Sequence, residues 1–289
     1  MRNTAPVSGE GVRRCGRIGI ALQGVQESKV TSGKASGENS LAAEVFAGLV
    51  DPAAQRAPVR ADASVGRPRD PGIEERALRT ALEVYSRLGW AGFSIGKVAS
   101  WAHMGKSSLY LRWPTKEAML LDAFNATDAF FQRRELELGD VPYVERISHI
   151  VESRMSTYFT PVGLAVIRLN LENQTVPEAV GDVWAKSAGR AVLRTRKLIR
   201  MGIDDGDLRP QTNLVQLCDA LEGGMTVHVL ATPPELRERA VARLGAYSKE
   251  FVAGTLGPWL TPKAVEAVRD YGSERSKAIL ALVDDFREG

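Results

Sequence analysis

Cysteine is nearly absent from this chain: Cys15 and Cys218 stand far apart, with no metal-ligand spacing around either. Their scarcity excludes a disulfide scaffold and fits a reducing, cytoplasmic setting. Histidine is as scarce. His103, His149 and His228 are scattered singly, so no ligand set points to a metal centre. No apolar run approaches the roughly 18 residues of a membrane span. The stretch Ile18 to Leu22 after Arg13-Arg14 is too short, and too broken by glycine and Gln23, for a signal peptide. A Gly-x-Ser-x-Gly elbow and a His-Glu-x-x-His helix are both missing. Ser32-Gly33-Lys34-Ala35 lacks the upstream glycine and the hydroxyl residue after lysine that a phosphate loop requires. The chain therefore reads as neither an enzyme nor a cofactor protein. Charge of one sign is also in short supply. A net +3 permits nucleic-acid binding without arguing for it, so any such case rests on where the cations sit.

What is present is a hydrophobic fraction of 44 %, enough for a core of useful size. Residues 1–66 are rich in Gly, Ser, Ala and Val and lack helical periodicity, except for a possible short helix over Leu41 to Val50. Such a stretch buries too little apolar surface to offset its ordering entropy and is expected to be mostly disordered. From Ile73 the pattern changes. Ile73, Ala77, Leu78, Ala81, Leu82, Tyr85 and Leu88 recur at steps of three and four, one apolar helix face, and Gly89 ends it as a C′ residue would. Ser94 is placed to cap a second helix with Ile95, Val98, Ala99 and Ala102 inward. A third, short helix runs from Lys106 to Trp113 and stops at Pro114; Thr115 can cap a fourth, from Lys116 to about Arg134. Further helices are expected over 143–158, 162–175, 178–204, 212–231 and 234–255, with two more opening at Thr261-Pro262 and Ser273. Nothing reads as a strand, so the fold class is all-α.

The chemistry lies in residues 93–117. Two short helices joined by a three- or four-residue turn form a helix-turn-helix, whose second helix fits a major groove. Ala99 is small, as a helix crossing requires, and Met104 can plug the gap within the turn. Gly105, Ser107 and Ser108 keep the N-terminal end of the second helix slim enough to approach DNA closely. Lys116 is the most telling residue. A cation in the first turn of a helix opposes the macrodipole, at a few tenths of a kcal/mol. That placement makes sense if a phosphate is held there by the helix N-terminus and the ammonium together. Lys97, Lys106, Arg112 and Lys116 make a basic face, and Arg67 and Arg69 could form an arm reaching a minor groove.

The run Leu109-Tyr110-x-x-Trp113-Pro114-x-Lys116-Glu117, preceded by Val98-Ala99-x-x-Ala102-x-x-Gly105-Lys106, resembles the signature of the tetracycline-repressor-like (TetR-like) family of helix-turn-helix regulators. The specific resemblance covers about residues 67–130. It implies that Tyr110 and Lys116 contact phosphates, that Ser94 caps its helix near the backbone, and that Lys106, Ser107 and Arg112 face base edges. His103 departs from the family pattern, which most often has glycine there.

The resemblance implies a DNA-binding unit over 67–130 and a helical effector-binding and dimerisation domain over 131–256, while composition and helix signals make 1–66 a disordered extension and 257–289 a helical tail. The partners would be a near-palindromic double-stranded DNA operator, a second copy of the chain and a small-molecule effector, with no membrane. An effector pocket could draw on His149, Tyr158, Phe159, Arg168, Glu172 and Trp184, polar or aromatic residues within apolar helices. Arg168 and Glu172, four apart, could equally pair with each other. A dimer interface from the helices over 212–231 and 234–255 would use Leu217, Leu221, Gly224, Leu244, Tyr247 and Phe251. A helical adaptor, or a small-molecule-binding protein without DNA activity, is the alternative.

Overall fold

The computed structural model describes residues 71–288, with the side chains of Pro71, Arg287 and Glu288 excepted. The expectations for residues 1–66, Cys15, Arg67 and Arg69 lie outside the described residues. The periodic apolar face builds α1 (Pro71–Gly92), which buries Ala77, Leu78, Ala81, Leu82 and Tyr85. Gly89 leaves helical geometry at φ 64° and turns the chain toward α2 (Ile95–Trp101). The Ser94 hydroxyl accepts from the Lys97 amide, which satisfies one of the open donors at the start of α2. Ile95, Val98 and Ala99 are buried, and the Met104 amide donates to the Ala99 carbonyl across the turn. Then come α3 (Lys106–Tyr110) and α4 (Lys116–Glu137). Leu109 and Trp113 anchor α3, the Trp113 indole donates to Asp122 on α4 at 2.9 Å, and Thr115 caps α4 through the Ala118 amide.

The rest of the chain forms α5 (Tyr143–Tyr158), α6 (Pro161–Thr175), α7 (Pro177–Lys186), α8 (Ala188–Asp204), α9 (Leu214–Ala231), α10 (Arg237–Ala242), α11 (Leu244–Leu256), α12 (Pro262–Tyr271) and α13 (Glu274–Glu288). No strand occurs among the described residues; a single antiparallel bridge joins Leu208 and Leu260. The fold is all-α. Two expected helices are each broken. Residues 178–204 divide at Ser187, where φ −135° and ψ −92° interrupt the spiral and the buried hydroxyl donates to the Val183 carbonyl. Residues 234–255 divide into a 3-10 turn, α10 and α11, with the step at Arg243. The residues at the two steps, Ser187 and Arg243, are neither glycine nor proline, so neither step announces itself by a helix-breaking residue.

The described residues form two cores. The first joins α1–α4 to Val162, Ala165 and Leu169 of α6 and Val180 and Val183 of α7. The second gathers α5, α8, α9 and α11 with Val268 of α12 and Ile279 and Val283 of α13. The first core crosses residue 130, so the helix-turn-helix unit and the helices behind it share apolar packing. The tail, 257–289, packs its two helices into the second core. It is tied there by Ser273 and Ser276, which donate to Glu145, and by Arg275, which bonds Ser148 and Glu152.

Candidate DNA interface and ligand cavity

Helix α3 has one buried and one open side. Leu109 and Trp113 face inward, while Lys106, Ser107, Tyr110 and Leu111 are exposed, Leu111 to 88 %. Gly105 precedes α3 without any side-chain cap, which leaves the amide end of the helix open. Ser108 and Arg112 sit on the flank, half-buried, and the Arg112 guanidinium folds back onto the Ser108 hydroxyl at 2.9 Å and carbonyl at 3.2 Å. Residues 103–106 turn tightly because His103 takes φ 53°, the one positive φ of a non-glycine residue among the described residues. Sequence reasoning passed over Leu111. Its signal was an apolar residue in a variable position between Tyr110 and Arg112, where a core role is excluded once Leu109 and Trp113 fix the inward face.

The lysines at the edges of this unit are engaged within the chain. The Lys116 ammonium donates to the Trp90 carbonyl at 3.2 Å and lies 3.8 Å from the centroid of the Trp90 ring, a cation–π contact. The Lys97 ammonium donates to the Gly92 carbonyl at 2.9 Å. Both donate to carbonyls of the last turn of α1, and that of Trp90 also accepts from the Phe93 amide at 3.3 Å. Ser94 serves as a cap, and its side chain is half-buried.

A cavity of about 700 Å3 opens between α4, α5, α8 and the α10–α11 step. Its apolar side is Phe124, Phe130, Phe131, Ile150 and Val166; its polar side is Asp128, Glu135, His149, Glu152, Arg154, Tyr158, Arg194 and Arg275. Three of its guanidiniums already hold carboxylates: Arg194 with Asp128, Arg275 with Glu152, and Arg154 with Glu222, which also accepts from Thr195. Burial, and then the nearby Arg275, hold the His149 imidazole below its usual 6.5. Burial, with the Glu222 carboxylate second, pushes the Tyr158 hydroxyl up to about 12.

Of the six expected pocket residues, only His149 and Tyr158 line this cavity. Phe159 belongs instead to an aromatic row, Phe159–His228–Tyr247–Phe251, in which the His228 and Tyr247 rings stack at 4.0 Å. Trp184 of α7 donates to the exposed Asn170 of α6. Arg168 and Glu172 pair at 3.8 Å, but their stronger contacts reach α1, on the far side of α6 from the cavity. Pairs joined across 80 or more residues carry no signature in local sequence.

The expected dimer residues also part company. Leu217, Leu221 and Leu244 are core residues, 3–4 % exposed, because the second core claims that face of α9 and α11. Gly224 makes room for a ring of the same chain: a Cβ there would sit 2.6 Å from Phe251. Tyr247 and Phe251 are half-buried in the aromatic row. The open face of α9 is Ala220, Gly223, Val227 and Leu230, with Val227 62 % and Leu230 60 % exposed.

An all-α chain whose helix-turn-helix presents an open second helix, backed by a helical body with a cavity, has the construction of a DNA-binding transcription regulator. Residues 77–123 match the family described as bacterial regulatory proteins, tetR family. The HTH-type transcriptional regulator YdeS of Bacillus subtilis (strain 168), itself uncharacterized, is 22 % identical over 180 residues, 62 % of this chain and 89 % of that protein. The DNA-binding transcriptional repressor TetR of Mycobacteroides abscessus is 37 % identical over 62 residues, 22 % of this chain and 33 % of the repressor. The solved structure of full-length native TylP, a TetR regulator from Streptomyces fradiae, shares the fold with a TM-score of 0.51 at 18 % identity, covering 73 % of this chain and 97 % of that one. Over its helix-turn-helix unit the chain is similar to TetR-family transcription regulators. Its relatives are regulators rather than enzymes, and no described helix is long and apolar enough to cross a membrane.

Proposed function

We propose that this protein is a ligand-responsive repressor that binds a near-palindromic operator as a homodimer. The observation that carries the reading is the exposed stripe of Lys106, Ser107, Tyr110 and Leu111 on the second helix of the motif. In a major groove, Lys106 and Ser107 meet base edges, Tyr110 a phosphate, and Leu111 the apolar methyl of a thymine. Arg112 turns from Ser108 toward the DNA, Lys116 grips a phosphate beside the α4 N-terminus, and Arg67 and Arg69 supply the arm. A second copy docks on the open apolar stripe of α9, which places the two α3 helices on successive major-groove faces.

The effector occupies the cavity beside His149 and Tyr158. Of the four lining guanidiniums, Arg134 is exposed and lies over the Phe130 ring, while the other three hold carboxylates. An anionic ligand at those three would compete with Asp128, Glu152 or Glu222 and leave a half-buried carboxylate without its partner. An uncharged amphipathic small molecule, apolar against Phe130 and Phe131, fits the lining better. No cofactor is part of this reading.

Selection of bound sequences from random duplex DNA tests the DNA half. An enriched near-palindrome supports it; a folded dimer that enriches nothing would move the adaptor reading ahead. Melting temperature in 1-naphthol against 1-naphthoate tests the charge preference, and a larger rise with the anion would reverse it.

A further inference from the structure

Glu172, near the end of α6 in the body, lies 82 to 87 residues along the chain from the groups it grips in α1. Its Oε2 accepts from the Tyr85 hydroxyl at 2.6 Å, and its two oxygens accept from the Trp90 amide at 3.1 and 3.2 Å. One turn earlier, Arg168 Nε donates to the Ser86 carbonyl at 3.0 Å. The carboxylate comes so close to the backbone that a Cβ on Gly89 would lie 2.4 Å from Glu172 Oε1. Trp90 is thus held at its amide from α6, and it holds Lys116 in turn, by its carbonyl at 3.2 Å and its ring at 3.8 Å. One residue stands between a carboxylate of the body and the ammonium at the start of α4.

We infer that Glu172 is a positioning residue for the phosphate contact of Lys116, acting through Trp90. The inference rests on the proposed DNA reading of Lys116 and goes beyond it. Lys116 has four rotatable side-chain bonds and would otherwise lose their freedom on binding DNA. With Trp90 fixed at both its amide and its carbonyl, the ammonium is preorganised at one place beside the helix N-terminus. A carboxylate is suited to this, because a charged acceptor bonds an amide and a hydroxyl more strongly than a neutral one does. Val166, on the same helix as Glu172, lines the cavity. A molecule that displaces α6 at Val166 would therefore act on the same chain of contacts, which gives the two sites a physical connection.

The test measures affinity for a mixed-sequence DNA duplex, and its dependence on salt, because a phosphate contact is independent of sequence. Lys116→Ala is expected to weaken binding about tenfold, as loss of a charge-assisted hydrogen bond does, and to lower the salt slope by about one per contact removed. Glu172→Ala should produce most of that loss and lower the slope as well, although Glu172 carries the wrong charge to touch DNA. In the double variant the losses should not multiply: Glu172→Ala should add little once Lys116 is gone. Glu172→Gln, which keeps an oxygen for the Trp90 amide, should recover part of the affinity. Tyr85→Phe, which removes only one donor, gives a milder version of the same pattern if Glu172→Ala fails to fold. Losses that multiply in the double variant, or a Glu172→Ala protein with a wild-type salt slope, would overturn the inference alone. A silent Lys116→Ala would overturn the phosphate reading of Lys116, and the inference with it.

Discussion

Two residues at positive φ behave oppositely. Gly89 (φ 64°) has both the conformational freedom the turn needs and the absent side chain that Glu172 needs. His103 (φ 53°) also takes a positive φ, but with a full side chain. Left-handed backbone costs an L-residue about 1–2 kcal/mol, so the two substitutions should move stability in opposite directions. Gly89→Ala combines that strain with a collision at Glu172 and should destabilise by about 2 kcal/mol or more. His103→Gly relieves strain, offset by glycine's greater unfolded-state entropy, and should gain about 0.5 kcal/mol. Urea titration of both variants checks the pair; a neutral Gly89→Ala would mean that the α1–α6 contact yields easily. The role of Gly89 as a helix stop was legible in the sequence, because a glycine ending an apolar periodicity has a local cause. The second reason for that glycine was not, since Glu172 lies 83 residues further along.

At the scale of the helix, sequence periodicity gave most elements and none of their partners. The Ser94, Thr115 and Thr261 caps follow from side chain and position alone, and each accepts the amide three residues on. The inward face of α9 was mistaken for an interface because an apolar stripe looks the same whether a core or a partner covers it. Leu217 and Leu221 face the second core, while Ala220, Gly223, Val227 and Leu230 face out. The outward stripe is small and apolar, and small residues allow two helices to approach closely. Val227→Glu places a carboxylate at its centre, opposite its own copy across a two-fold axis, where like charges would be desolvated together. The variant is expected to remain folded, since Val227 is 62 % exposed, and to sediment as a monomer with operator affinity reduced at least tenfold, because two heads no longer bind as one. A Val227→Glu protein that stays dimeric would place the interface elsewhere.

At the scale of the whole molecule, the two cores differ in what acid does to them. The first core contains no histidine, whereas the second carries His228 in its aromatic row and has His149 at its edge beside the cavity. Burial lowers both imidazoles below the usual 6.5; for His149 the Arg275 guanidinium adds to the effect, against Glu145 and Glu152. An imidazole that binds its proton less readily when folded favours the folded state fully above 6.5. As pH falls from 6.5 toward the folded value, the unfolded chain takes up the proton first, and stability declines by at most about 1.4 kcal/mol per pH unit for each such group. The melting temperature should therefore hold steady from pH 8 to 7 and decline once the pH drops below about 6.5. His228→Phe, which can keep the ring contact with Tyr247 while removing the proton site, should fall less steeply. Asp207 acts in the opposite sense, since burial raises its carboxyl above the usual 3.8 despite Lys263, so its effect runs upward from there and Asp207→Asn controls for it. Hydrogen exchange places the effect: near pH 5.5 the amides of α9 and α11 should lose protection before those of α1 and α4. Equal loss in both sets would mean that the shared packing of α6 and α7 makes the molecule melt as one unit. The heads would then be released from DNA by acid only when the whole protein unfolds.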